Sequence, residues 1–80
     1  MIHQLKTWPE PFAAVVDGGK TCELRKNDRD YKVGDVLILQ EWNPDTKEYT
    51  GNEEVAHVTH IIRGGEFGLP PDLCVMSIAT

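Results

Sequence analysis

Three side chains within one short stretch carry the chemistry of this chain: Lys20, Glu23 and Arg25, in Gly19-Lys20-Thr21-Cys22-Glu23-Leu24-Arg25. An ammonium at Lys20 can grip a phosphate or a carbonyl oxygen, and if desolvated it can act as base or nucleophile. Glu23 can accept the exocyclic amine of cytosine or adenine, or shuttle a proton. Arg25 offers a planar fork for a phosphate or a base edge. In an extended segment Thr21, Glu23 and Arg25 share one face and Cys22 and Leu24 the other. One face belongs to the core and the other lines a groove or meets water. The competing reading is an internal Glu23–Arg25 salt bridge that holds a groove wall in shape and binds nothing. Arg29 and Lys32 suit phosphate contacts or plain solubility, and His3 and Lys6 can border the same cleft from the first strand.

The charge distribution singles out the same region. The net charge is -5, which argues against gross, non-specific nucleic-acid binding. Yet residues 20 to 32 hold five basic residues against three acids, and the rest of the chain holds three against ten. A local cationic segment on an acidic body can mark an anion site. Metal chemistry has no support in the spacing: there is no Cys-x-x-Cys, and His57 and His60 would point to opposite sides of a strand. One of those two histidines is expected to face inward and find a partner. No metal and no cofactor are expected. Cys22 and Cys74 both read as buried free thiols.

Eighty residues make one domain, spanning 1–80. Hydrophobic residues at 40% suit a packed core, and no apolar run approaches the roughly 20 residues of a membrane span. Met1 to Lys6 lack the apolar core of a secretory signal, so a cytoplasmic protein with no membrane partner is expected.

The elements that must position these residues follow from local patterning. Residues 2 to 7 read as a strand with Ile2 and Leu5 as its apolar content and His3 and Lys6 on a polar face. Pro9 and Pro11 suit the first turn of a short helix. Phe12, Val15 and Val16 would form its buried stripe, and Gly18 or Gly19 its stop. Lys20 to Lys26 form the second strand, ending in the polar turn Asn27-Asp28-Arg29-Asp30. Val36 to Leu39 read as a strand covered on both sides. A polar hairpin loop follows from Asn43 to Gly51. Glu54 to Arg63 is the return strand, with Val55, Val58, Ile61 and Ile62 directed to the core. Gly64 to Pro71 connects to a last strand, Leu73 to Ile78. Trp8 and Phe12 read as core. Trp42 and Tyr49, near the polar loop, can stack on a base or close a barrel end. One strand, one helix and four strands make an α+β chain, most economically curled into a barrel.

Read together, His3-x-Leu5-Lys6, Pro9-Glu10-x-Phe12, Gly19-Lys20-Thr21-x-Glu23-x-Arg25, Asn27-Asp28-Arg29, Val33-Gly34-Asp35-Val36-Leu37, Trp42, Thr50-Gly51 and Val75-Met76-Ser77-Ile78 resemble the ASCH branch of the PUA-like superfamily. Within that branch the chain looks most like a family of short bacterial and phage proteins without an assigned function (DUF3850-like). The resemblance implies a small PUA-like β-barrel of five or six mostly antiparallel strands with one short helix after the first strand. It also implies a ligand cleft between helix and barrel for RNA, a nucleotide or a modified nucleoside, with Lys20, Thr21, Glu23, Arg25, Arg29 and His3 as its binding residues. One similar ASCH group hydrolyses the acetyl amide of N4-acetylcytidine with a lysine, a threonine and a later glutamate. Here Lys20 matches the lysine, Glu23 stands at the threonine position with Thr21 nearby, and Glu66 is the loose candidate for the later glutamate.

Three functions are therefore expected in order: an RNA- or nucleotide-binding module, an amidohydrolase of acylated nucleosides with Lys20 and Glu23 as its catalytic residues, and a protein-interaction domain with a vestigial cleft.

Overall fold

The apolar run Val36-Leu37-Ile38-Leu39 gains a hydrogen-bonded strand on each side, and the rest of the sheet grows from it. A computed structural model describes all residues from Met1 to Thr80. Along the chain it contains β1 (Ile2–Thr7), α1 (Pro9–Val16), β2 (Cys22–Lys26), β3 (Val36–Asn43), β4 (Glu48–Arg63) and β5 (Leu73–Ala79). The strands form one sheet in the order β1-β3-β4-β5-β2. β1 runs parallel to β3, and the other three pairings are antiparallel.

β4, 16 residues long, pairs first with β3 and then with β5. Its register slips between Gln40 and Trp42 on the β3 side and between Val58 and His60 on the β5 side. Such irregularities bend a strand and increase its twist, so the sheet curls. The curl brings the two edge strands to face each other across a seam with no backbone ladder between them. Two guanidinium groups bridge it instead. Arg25 Nη2 donates to the carbonyl of Lys6 at 3.0 Å, and Arg29 Nη1 to that of Gln4 at 3.0 Å. The expected α+β order and five strands are present. The sheet is a half-barrel and not a closed barrel.

The core comprises Leu5, Phe12, Val15, Tyr31, Leu37, Leu39, Ala56, Val58, Cys74, Met76 and Ile78. Its spacing on β3 and β5 is the period of two that a one-sided sheet requires. Alternation also corrects several sequence expectations. On β1, Ile2 and Leu5 are three apart and cannot share a face, so Leu5 points inward with His3 and Thr7 while Ile2 is exposed. On β4, Ala56 and Val58 point inward, which turns Val55 out and leaves both His57 and His60 exposed. On β3, Leu37 and Leu39 are fully buried, but Val36 and Ile38 are only half covered. Cys74 is buried as expected; Cys22 is exposed on the outer side of an edge strand.

α1 begins with proline in its first turn and buries Phe12 and Val15, while Val16 lies beyond the stripe and is exposed. Gly18 ends it with a left-handed φ of 86°, a conformation glycine adopts without steric cost. The chain then doubles back, and the amide of Lys20 donates to the Ala14 carbonyl at 2.9 Å. This return places Lys20 beside β2 rather than in open solvent. No helix is long and apolar enough to cross a membrane.

In the connection between β4 and β5, Gly64 is needed for space. A Cβ there would lie 2.2 Å from the Pro71 carbonyl oxygen. Gly64→Ala is therefore expected to lower stability by about 2 kcal/mol through forced backbone displacement, measurable as a lower urea midpoint with an unchanged slope.

Candidate ligand-binding groove

β2 breaks the usual rule that the apolar face of a strand turns inward. Glu23 is the buried residue of this strand, 4% exposed, while Leu24 is 57% exposed. A carboxylate is tolerated there only because cations meet it on both sides. Lys20 Nζ donates to Glu23 Oε1 at 2.5 Å, and Arg25 Nε donates to Oε2 at 2.7 Å with Nη2 at 2.6 Å. Lys20 also donates to the Cys22 carbonyl at 2.6 Å. Arg25 Nη2 reaches across the seam to the Lys6 carbonyl and, at 3.4 Å, to the Thr7 hydroxyl. The internal salt bridge read from the sequence is thus present, and Lys20 enlarges it to a trio carrying one net positive charge.

The trio lines a cavity of about 470 Å3 along the seam, walled by Lys6, Thr7, Trp8, Pro11, Leu24 and the three charged residues themselves. That size falls among cavities that hold small molecules. Arg25 separates it from a smaller cavity of about 220 Å3 lined by Leu5, Lys26, Asp28, Arg29 and Tyr31 as well. The two cavities together are lined by five basic residues and two acidic ones, a net of +3; the remaining three basic and eleven acidic residues make -8. Arg25 Nη1 has no hydrogen-bond partner in the protein, so its two N–H groups are free to meet a ligand.

Of the residues expected in the cleft, Lys20, Glu23 and Arg25 converge, and Arg29 lies in the adjoining cavity. Thr21 and His3 line neither cavity. Thr21 is exposed, and its carbonyl accepts from the Ile78 amide. His3 is buried, its Nε2 2.8 Å from Asp35 Oδ2 and its ring edge-on to Tyr31. Asp35 also meets the Met1 nitrogen at 3.0 Å and the Lys32 amide at 3.0 Å. The hydrogen bond from His3 is the main cause holding the Asp35 carboxyl down to about 2, against burial, which raises it. His3 therefore belongs to a buried polar cluster that ties β1 to the turn before β3. Glu66 accepts from the Arg63 amide at 2.8 Å in its own loop and lines neither seam cavity.

Trp8 is the groove residue that sequence reasoning placed in the core. It is 56% exposed because it occupies the N-cap position of α1, in extended backbone outside the helix's buried stripe. Its place just before Pro9 was the available signal, since a residue preceding proline is biased away from helical geometry.

Fold and site together define a small α+β half-barrel with a cationic groove along its open seam. The chain belongs to the family described as Domain of unknown function (DUF3850), whose model matches residues 2–78. It is also 40% identical over 60 residues to an uncharacterized 12.9 kDa protein in the GpA 3' region of Escherichia phage P2, a match covering 75% of this chain. The chain spans about half the length of that curated relative, 53%.

Proposed function

We propose that this chain is a small RNA- or nucleotide-binding module of PUA-like (ASCH) type, with its ligand seated in the seam groove beside α1. The observation that supports this most is the trio: buried Glu23 fixes two partly exposed cations, Lys20 and Arg25, in one orientation toward a cavity of nucleotide-compatible size. Fixed donors bind an anion with less loss of side-chain freedom than mobile ones. Lys20 and Arg25 would hold a phosphate or a base carbonyl, Arg29 a neighbouring phosphate, and the exposed face of Trp8 would stack on a base. In this reading Glu23 orients the cations, and His3 acts through the packing of β1.

Amide chemical shifts followed during titration with cytidine monophosphate at low salt test the reading. The largest shifts are expected at Lys6 to Trp8 and at Lys20 to Arg25; shifts confined to other surfaces, or none, would refute it. The adjacency of Lys20 and Glu23 also motivates a second reading, an amidohydrolase acting on an acylated nucleoside. It ranks lower because an ammonium bound to a carboxylate offers no lone pair for attack. Acetyl release from N4-acetylcytidine, lost in Lys20→Ala, would reverse that ranking.

A further inference from the structure

We infer that the groove is one end of a longer track for single-stranded nucleic acid, continued by the aromatic stripe Trp8, Trp42 and Tyr49. The inference rests on the nucleotide-binding reading above and extends it from a single nucleotide to an oligonucleotide.

Trp8 lines the groove, and its ring centroid lies 6.5 Å from that of Trp42. Trp42 on β3 is directly opposite Tyr49 on β4, so both side chains project from the same face of the sheet. Trp8 is 56% and Tyr49 54% exposed, so two of the three rings keep most of their surface in water. Lys6 Nζ sits 4.2 Å above the Trp42 ring, placing a cation where the groove passes into the stripe. Rings in line with a cationic trough are the combination that holds single strands: bases stack on the rings while phosphates meet Lys and Arg.

The order along the seam is consistent with a continuous path. Arg29 anchors at Gln4, Arg25 at Lys6 and Thr7, and Trp8 follows directly. From Gln4 to Thr7 a strand advances roughly 10 Å, so the cationic trough and the stripe lie end to end. The +3 trough supplies the attraction for phosphates. Residues 41–50, which carry Trp42 and Tyr49, hold three acids against one lysine, so the stripe contributes base stacking and the phosphate contacts stay in the trough.

Both tryptophans of the chain lie in the stripe, so intrinsic fluorescence reports on it directly. Trp42→Phe leaves only Trp8 emitting, and Trp8→Phe leaves only Trp42. Hexacytidylate is expected to quench emission in both variants, and cytidine monophosphate only in Trp42→Phe. Tyr49→Ala should weaken hexacytidylate about tenfold while leaving the monophosphate affinity unchanged. If Trp42 emission is unmoved by the hexamer, or hexamer and monophosphate bind equally well, the track is wrong while the groove reading stands. If neither ligand binds the wild-type protein, both readings fall.

Discussion

Glu23→Gln is expected to lower the melting temperature by about 10 to 20 °C, corresponding to roughly 2 to 3 kcal/mol for a domain of this size. The substitution keeps the shape of the side chain and removes its charge. Lys20 and Arg25, whose side chains are 27% and 25% exposed, would then face each other across a neutral amide. Their partial exposure keeps the expected loss below that of a fully buried pair. Adding Lys20→Gln to Glu23→Gln should recover part of the loss, because it removes the repulsion the first change leaves behind. Thermal denaturation followed by circular dichroism measures both. A shift of only a few degrees would mean that water screens the trio and that Glu23 does not fix the cations.

The second large effect concerns Asp35, whose carboxylate meets three groups, the Met1 nitrogen, His3 Nε2 and the Lys32 amide. Its folded-state value of about 2 lies below the ordinary 3.8. The carboxylate therefore contributes stability that is fully present above pH 3.8 and is lost as pH falls through about 2. That contribution is on the order of 2 kcal/mol. Urea unfolding at about pH 4.5 and about pH 2.5 should show it as a falling midpoint in the wild-type protein. Asp35→Asn should be less stable at the higher pH and should change less between the two. Asp35→Ala, which leaves the His3 ring and the Lys32 amide without their acceptor, should be less stable still, by about 3 kcal/mol. Equal pH dependence in wild type and Asp35→Asn would place the acid sensitivity elsewhere.

Element order was legible from the sequence because local signals agree. β1 was expected over residues 2 to 7 and lies at Ile2–Thr7, and the proline pair and the following glycine bracket α1. What was not legible was which way certain side chains turn. His3 turns inward because Asp35 and Tyr31, over 25 residues away, receive it. Glu23 turns inward, against the hydrophobic preference of Leu24, because two cations meet it there, one of which, Arg25, is held by the carbonyl of Lys6 on the opposite edge strand. The sheet stays open along this edge, where guanidinium-to-carbonyl bonds from Arg25 and Arg29 stand in place of a backbone ladder. The Glu23–Arg25 pair was readable from alternation, but Lys20 was not, since strict alternation sets it on the opposite face. It joins the pair because the chain doubles back after α1, with its amide on the Ala14 carbonyl, before β2 begins at Cys22. The adjoining exposed Trp8 was not readable either, because tryptophan beside a helix start is ordinarily covered.

The most direct measurement is a fluorescence anisotropy titration of labelled hexacytidylate at several salt concentrations. It compares wild type with Arg25→Ala and Lys20→Ala made singly, so that Glu23 keeps one cation in each. Binding at low salt is expected to weaken with a log–log slope of about -2, as two to three phosphate contacts require. Each variant should lose at least about tenfold in affinity and show a shallower slope while retaining a cooperative thermal transition. Absence of binding at low salt, or an isotherm that neither substitution alters, would contradict the assignment of the seam groove as a nucleic-acid site.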